Sequence, residues 1–233
     1  MVKIAAIVPA AGSGTRMRMN TKKQFFALAG TPLVGYALKT MEASPAVQDI
    51  VIVVSPGEEG YCRGAVVEKL GLKKITAIIP GGKERQGSVY NGLLALSPDT
   101  DIVIVHDGVR PFFSLDILDK VIAAAQKHGA ATCAVLAKDT VKLANEDNFV
   151  TGTLPRNRTW LVQTPQAFCY RLIMEAHRRA RDDGLLATDD TALVESLGRR
   201  VKIVMGSYEN IKITTPEDLD MAMAIIKAAG EGD

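Results

Sequence analysis

A loop of small residues directly follows the first apolar segment of the chain. Residues 8–17 read Val-Pro-Ala-Ala-Gly-Ser-Gly-Thr-Arg-Met, after an apolar run at residues 4–8 that is typical of a buried strand. The loop has no acidic side chain, and it ends among basic residues: Arg16, Arg18, Lys22 and Lys23. Small residues let a ligand approach the backbone, and free N–H groups together with cations favour an anion. The sequence therefore predicts a cradle long enough for a polyphosphate.

This loop matches neither of the two commonest phosphate loops. A Walker loop requires Gly-Lys followed by Ser or Thr, which the segment lacks. The dinucleotide fingerprint requires a third glycine where Met17 stands, and an acidic residue ~20 positions further on, which is also missing. The plain alternative is a glycine-rich turn between a strand and a helix, but basic residues are not needed for turning. A nucleotide triphosphate therefore fits the loop better than NAD does.

Composition restricts the classes of function. The chain has 233 residues, of which 47% are hydrophobic, and its net charge of +2 comes from 28 basic and 26 acidic residues. This balance argues against nucleic acid or a membrane surface as a partner. No apolar run approaches the ~20 residues that span a bilayer, and the N-terminal pattern is not that of a signal peptide. The three cysteines are widely spaced, so we expect reduced thiols in a cytoplasmic protein.

Apolar runs rich in Val and Ile alternate with helical stretches. Strands are predicted at residues 3–9, 50–54, 75–79, 102–106, 131–137 and 201–205, and helices at 32–43, 58–70, 84–96, 115–127, 170–182, 189–197 and 216–228. Runs without alternation imply strands that are buried on both faces. The predicted fold is therefore α/β, with a single doubly wound, mostly parallel sheet and helices on both faces.

A polar stretch interrupts this regular alternation. Short strands flank an Asn-Glu-Asp-Asn turn at residues 145–148, which predicts a projecting β-hairpin, or arm, at about residues 137–159. Such an arm has little core of its own, and we expect it to pack on a second subunit. The chain is thus predicted to be one domain, residues 1–233, that forms a homodimer through this arm.

The unusual residues cluster where predicted strands end, which is the edge at which parallel sheets bind ligands. Besides the first loop, these clusters contain Gly81-Gly82, Asp107 and Lys212. They suggest nucleotidyl transfer, in which a second anionic substrate attacks the α-phosphorus and pyrophosphate leaves. Basic groups and Mg²⁺ would neutralise the developing charge. Asp107 is a candidate metal ligand, directly or through water, and equally a capping acid at a strand end.

The order and spacing of these segments resemble the 2-C-methyl-D-erythritol 4-phosphate cytidylyltransferase family from the first strand to residue 218. The shared segments are residues 9–17 with Lys23-Gln24, Gly81-Gly82 with Arg85 and Ser88, His106-Asp107 with Arg110-Pro111, Asp139-Thr140, residues 163–166, Thr188-Asp189 and residues 210–214. The resemblance implies a Rossmann-like nucleotidyltransferase. Such an enzyme transfers CMP from CTP to methylerythritol phosphate in non-mevalonate isoprenoid precursor synthesis, giving 4-diphosphocytidyl-2-C-methyl-D-erythritol and pyrophosphate.

The resemblance also implies roles for individual residues. Those expected to bind CTP are Ala10, Ala11, Gly12, Ser13, Gly14, Thr15, Arg16, Lys23, Gly81, Gly82, Arg85, Ser88 and Asp107. Those expected to bind the polyol phosphate are Thr140, Arg156, Thr164, Thr188, Glu209 and Lys212. Arg16, Lys23, Arg156 and Lys212 are the expected catalytic residues. Thr140 and Arg156 would complete the site of the neighbouring subunit.

The sequence departs from the family pattern in four places. Glu209 stands in place of aspartate, Lys83 in place of an acid, Lys22 in place of proline, and Gly108-Val109 in place of a pair of small residues. A rival family, ribitol-5-phosphate cytidylyltransferase, shares the loop, the His-Asp segment and residues 210–216. It fits less well at residues 139–142 and 188–190. A non-catalytic nucleotide-binding regulator is the remaining alternative, although it would not need Lys23, Arg156 and Lys212 together.

Overall fold

The structure is a computed structural model that describes residues 2–12 and 22–230. Its strands are β1 (Ile4–Ala10), β2 (Ala27–Leu28), β3 (Thr31–Pro32), β4 (Asp49–Val54), β5 (Ile75–Pro80), β6 (Ile102–Val105), β7 (Ala130–Leu136), β8 (Lys142–Ala144), β9 (Val150–Thr153), β10 (Trp160–Cys169) and β11 (Lys202–Met205). Its helices are α1 (Leu33–Ala43), α2 (Glu59–Cys62, continued as a π-helix over Arg63–Glu68), α3 (Arg85–Ala95), α4 (Leu115–His128), α5 (Tyr170–Asp182), α6 (Asp190–Ser196) and α7 (Pro216–Ala228). Short 3₁₀ turns lie at Lys23–Phe25 and Arg156–Arg158.

Within the described residues, a central sheet of seven strands has the order β11-β7-β10-β6-β1-β4-β5. Every neighbouring pair is parallel except those of β10, which runs antiparallel to β6 and β7. Alternate residues of β1 enter opposite cores: Ile4 and Val8 pack with α1, α2 and α4, whereas Ala5 and Ile7 pack with α3, α5 and α6. This two-sided burial explains the continuous apolar runs, and it confirms the predicted doubly wound, mostly parallel sheet.

The sequence did not predict β10, which lies in the middle of the sheet. Its central residues include polar side chains and Pro165, a residue that cannot donate to a ladder, so the segment does not resemble a buried strand. The pairing with β7 shifts register between Val162 and Gln166, around that proline. Buried polar side chains of this strand form hydrogen bonds with distant parts of the chain. Gln163, for example, donates through Nε2 to the carbonyl of Ser207 over 2.8 Å.

Helix α7 fixes the segment that precedes it. Pro216 occupies the first turn and Thr215 forms a capping box with Asp218, as the Thr-Pro-Glu-Asp sequence suggests. The Asp218 carboxylate also accepts from the backbone N–H of Thr214 over 2.7 Å. Ile213 and Ile226 belong to a small core with residues of β2 and α1. The chain that carries residue 212 is therefore anchored immediately after that position.

The predicted β-hairpin is present as β8 and β9, which pair antiparallel. A hydrogen bond from the N–H of Ala137 to the carbonyl of Thr159, 2.9 Å long, closes its base. The arm leaves large apolar side chains in solvent, with Phe149 72% and Val150 62% exposed. Such exposure is unusual for a strand pair that packs on its own domain.

Cys62 and Cys133 are buried free thiols and Cys169 is a partly buried one. Burial raises the pKa of Cys62 to about 11 and that of Cys133 to about 12. Over residues 2–12 and 22–230, no helix combines the length and the apolar character needed to cross a bilayer.

The contact between α3 and β1 generates a stability prediction. A Cβ added to Gly92 would lie 2.6 Å from Cγ2 of the fully buried Ile7, so that one of the two elements must shift. Overpacking a core costs ~1–3 kcal/mol, which exceeds the ~0.5–1 kcal/mol that alanine adds to a helix relative to glycine. We expect Gly92→Ala to lower the free energy of unfolding in urea. Gly60→Ala, in α2 with open space around it, is the control and should not lower it. Equal stability of the two variants would contradict this packing.

Candidate active site

Two cavities open at the carboxyl edge of the sheet, each of about 420 Å³. The first is lined by Pro9, Ala10, Ala11, Gly12, Lys23, Gln24, Gly82, Lys83, Glu84, Arg85, Ser88, Asp107, Val109, Lys212 and Thr214. The second is lined by Arg85, Asp107, Arg110, Val162, Gln163, Thr164, Gln166, Thr188, Asp189, Thr191, Ala192, Glu195 and Lys212. Among the described residues, Arg85, Asp107 and Lys212 line both cavities, so they form the boundary between them.

Asp107 organises this boundary. Its carboxylate lies 3.0 Å from Nε of Arg85, 2.8 Å from Nζ of Lys212 and 3.8 Å from Nε of Arg110. Burial alone would raise the pKa of Asp107, but the charges of Arg85 and Lys212 outweigh it and hold that pKa well below its usual range. Asp107 is therefore ionised at neutral pH, and it draws together basic side chains from three separate segments.

The wall of the first cavity is built from residues without room for larger side chains. A Cβ on Gly81 would lie 2.6 Å from Cβ of Ala11, so glycine alone lets the ends of β5 and β1 approach this closely. Ser88 Oγ accepts from the N–H of Gly82 and donates to the carbonyl of Glu84, each over 3.1 Å. The hydroxyl of Ser88 is thus held at the cavity by the turn before α3.

The first loop contributes only part of its predicted cradle to the described structure. Ala10, Ala11, Gly12 and Lys23 line the first cavity. The neighbouring lysine, Lys22, pairs instead with Glu58 over 2.9 Å, which ties this departure from the family pattern to the start of α2. The remaining predicted ligands, Ser13, Gly14, Thr15 and Arg16, lie outside the described residues.

A hydrogen-bonded frame holds the second cavity. Thr164 Oγ1 accepts from the N–H of Asp107 over 3.0 Å and donates to Nδ1 of His106 over 3.1 Å. His106 in turn donates through Nε2 to the carbonyl of Arg110 over 2.9 Å. These bonds place the neutral imidazole in one tautomer, and burial lowers the pKa of His106 to about 4. Asn210 completes the frame by donating to the carbonyl of Thr164 over 2.8 Å.

Most of the predicted site residues that the structure describes come together. Gly82, Arg85, Ser88 and Asp107 join the first loop, and Thr164, Thr188 and Lys212 surround the second cavity. Gly81 packs directly behind the first cavity.

Apart from Gly81, three predicted residues within the described part of the chain line neither cavity. Thr140 and Arg156 are exposed on the arm, where a guanidinium nitrogen of Arg156 donates to the carbonyl of Lys138 over 3.1 Å. Glu209 is exposed on the loop before Asn210. The assignments of these three residues to the substrate stay predictions.

Arg110 and Asp190, to which no role was assigned from the sequence, lie against the shared boundary. Asp190 is 1% exposed and accepts from Nη1 of Arg85 over 2.7 Å, 105 residues away along the chain. In the sequence, Asp189-Asp190 is typical of a helix start, and Asp189 indeed caps α6 by accepting from the N–H of Ala192. The family motif already contains Arg110, so that signal was present. Nothing local marks Asp190 as the partner of Arg85.

The buried neutral His106 generates a pH prediction. Its pKa of about 4 lies below the ~6.5 of an unfolded chain, so the unfolded state binds more protons between these values. Stability is therefore lost as pH falls from 6.5 towards 4, by roughly 3 kcal/mol from this group. We expect the free energy of unfolding of His106→Gln to fall less steeply over this range than that of the natural protein. Parallel profiles would contradict the assignment.

Comparison with known proteins shows the family of the chain. The family model described as IspD, 2-C-methyl-D-erythritol 4-phosphate cytidylyltransferase, matches residues 4–228. A protein of that name from Pelotomaculum thermopropionicum is 62% identical over 228 residues, which span 98% of this chain and 96% of that protein.

Solved structures give the same result. The 4-diphosphocytidyl-2C-methyl-D-erythritol synthase of Anaerococcus prevotii superposes with a TM-score of 0.86 at 35% identity, covering 97% of this chain and 96% of that one. The 2-C-methyl-D-erythritol 4-phosphate cytidylyltransferase of Thermus thermophilus superposes with a TM-score of 0.79 at 33% identity, covering 97% and 100%. The chain therefore belongs to the 2-C-methyl-D-erythritol 4-phosphate cytidylyltransferase family.

Proposed function

We propose that this protein transfers CMP from CTP to 2-C-methyl-D-erythritol 4-phosphate and releases pyrophosphate. The observation that carries the proposal is the shared boundary of Arg85, Asp107 and Lys212 between two cavities of equal size. CTP occupies the first cavity and the polyol phosphate occupies the second. An acceptor phosphate oxygen then forms a bond to the α-phosphorus, while the bond from that phosphorus to the bridging oxygen of the β-phosphate breaks.

The chemistry requires charge stabilisation and positioning, and no protein nucleophile. Lys23 in the first cavity, together with Arg16, neutralises charge that develops on the α-phosphate. Lys212 lies at the boundary and is held by Asp107 over 2.8 Å, which suits it to align the attacking phosphate. Fixed cations need no reorganisation during the reaction, which is the usual source of such catalysis.

Base and polyol recognition follow the family assignments. Gly82 and Ser88 line the narrow wall that would face cytosine. Gly81 packs directly behind that wall, where a larger residue would clash with Ala11. Thr164 and Thr188 lie at the second cavity, where hydroxyl groups suit a polyol. Glu209 is proposed to join them when substrate binds.

A divalent ion is proposed to enter with the triphosphate of CTP, where Mg²⁺ prefers substrate oxygens and water. Direct ligation by Asp107 fits this arrangement poorly, because Arg85 and Lys212 each occupy one of its carboxylate oxygens. Contact through water is compatible with these pairs.

Two copies of the chain are proposed to exchange arms. Leu143, Phe149 and Val150 expose apolar surface on the arm, and burial against a second copy would remove it from water. The exchange would also supply Arg156 and Thr140 to the neighbouring second cavity, which explains why neither lines a cavity of its own chain. We further propose a cytoplasmic location, which the three free thiols favour.

The proposed reaction predicts a substrate preference and a dependence on Lys212. We expect pyrophosphate release from CTP to be faster with methylerythritol phosphate than with ribitol 5-phosphate at equal concentrations. Lys212→Ala should lower kcat/KM by about 10²-fold or more, because it removes a preorganised charge. Lys120→Ala, an exposed lysine paired with Asp116, is the control and should keep full activity. Faster turnover with ribitol 5-phosphate would overturn the acceptor assignment, and full activity of Lys212→Ala would overturn the mechanism.

The proposed arm exchange predicts an assembly defect. Phe149→Glu would place a charge in the buried interface, and we expect it to shift the protein from dimer to monomer in analytical ultracentrifugation and to lower turnover. Asp147→Lys, which changes charge at the tip of the same hairpin, should leave both unchanged if apolar burial drives assembly. A Phe149→Glu variant that remains dimeric would count against assembly through this surface.

A further inference from the structure

His177, on α5, is a fully buried histidine that lies outside both substrate cavities. Its Nε2 lies 3.1 Å from Oδ1 of Asp190. Its Nδ1 has no hydrogen-bond partner in the part of the chain that the structure describes. Among the described residues, the one polar contact of this buried ring is therefore with the carboxylate that anchors Arg85.

Successive hydrogen bonds and ion pairs connect Asp190 to the boundary between the two cavities. The other oxygen of Asp190 accepts from Nη1 of Arg85 over 2.7 Å. Arg85 Nε donates to Asp107 over 3.0 Å, and Asp107 accepts from Lys212 over 2.8 Å. Four contacts thus connect a helix on one face of the sheet to the lysine proposed to align the acceptor phosphate.

Packing fixes the ring of His177 relative to Arg85. The ring stacks on Tyr90, with centroids 6.1 Å apart and planes at 24°, and the guanidinium of Arg181 lies 4.4 Å from the centre of the Tyr90 ring. Tyr90 and Arg85 belong to α3, whereas His177 and Arg181 belong to α5. The stack therefore joins the two helices that carry the two ends of the His177–Asp190–Arg85 connection.

We propose that His177 is a positioning residue for the transfer reaction, which holds the Asp190 carboxylate so that Arg85 and Asp107 keep Lys212 in place. A buried carboxylate requires a donor on each oxygen, and loss of His177 would leave Oδ1 of Asp190 unsatisfied. Asp190 would then turn or take up a proton, and Arg85 would lose one of its two anchors. The inference rests on the proposed function of Lys212 towards the acceptor.

The test compares His177→Gln, His177→Asn and His177→Leu in steady-state kinetics. The amide nitrogen of glutamine can reach the place of Nε2, whereas that of asparagine stops near the place of Nδ1. We expect the Asn and Leu variants to lower kcat/KM for methylerythritol phosphate about tenfold, mainly through a higher KM for that substrate, with the KM for CTP changed less than about twofold. Tenfold is the lower end of what such supporting partners contribute. His177→Gln should restore most of the loss.

A purely structural role would give a different pattern, because a smaller folded fraction lowers kcat and leaves both KM values unchanged. Met174→Leu, at another buried position of α5, is the matched control and should behave as the natural protein. Equal kinetics of the Gln and Asn variants would overturn the proposal, as would an unchanged KM for the acceptor in His177→Asn. If His177→Leu does not fold, the Gln and Asn pair alone decides.

A second measurement separates this inference from the proposed function. Hydrogen exchange of the Arg85 Nε–H, followed by NMR and assigned by its loss in Arg85→Lys, reports the anchoring of Arg85 without any reaction. We expect faster exchange in His177→Asn than in His177→Gln, and equal rates would refute the connection. Absence of turnover by the natural protein would instead refute the proposed function and leave the exchange result decisive for His177.

Discussion

The buried carboxylate of Asp107 is the constraint on which the site depends. Removing an ion from water costs several kcal/mol even after the protein relaxes, so a carboxylate persists there only with close cations and donors. Arg85 and Lys212 satisfy that requirement from segments that are far apart in the chain. Burial of Asp107 therefore also positions its partners, because the same attraction that keeps Asp107 ionised holds basic groups at the boundary of both cavities.

Most of the fold could be predicted because its physical cause is local in the sequence. Runs such as Ile4–Ala10 are apolar at every position, and two-sided burial follows directly. Strand β10 escaped prediction because its buried positions are polar and are satisfied by distant partners, as Gln163 is by Ser207. A pattern of hydrophobicity cannot reveal a strand whose interior is held by hydrogen bonds across the fold.

Residues of the site were likewise predictable only where their signal is local in the sequence. Gly81, Ser88 and Lys212 belong to motifs whose spacing marks them, and the structure places them around one cavity or behind it. Asp190 and His177 belong to no motif, and neither residue is unusual in the sequence of its own helix. Their contacts form only where α3, α5 and α6 pack together. The first loop, in contrast, could be recognised from the sequence alone, because a run of small residues followed by basic residues has few functions other than binding an anion.

Helix α3 begins with Arg85, which faces both cavities, and one turn later carries Ser88, which faces only the first. The helix is pressed onto β1 at Gly92, where no side chain separates it from Ile7. Under the proposed function, one stiff element would read both the nucleotide and the acceptor. The preference for the base and the preference for the acceptor would then change together. A substitution that tilts α3 to admit another base would also move the guanidinium of Arg85, which would contact the acceptor.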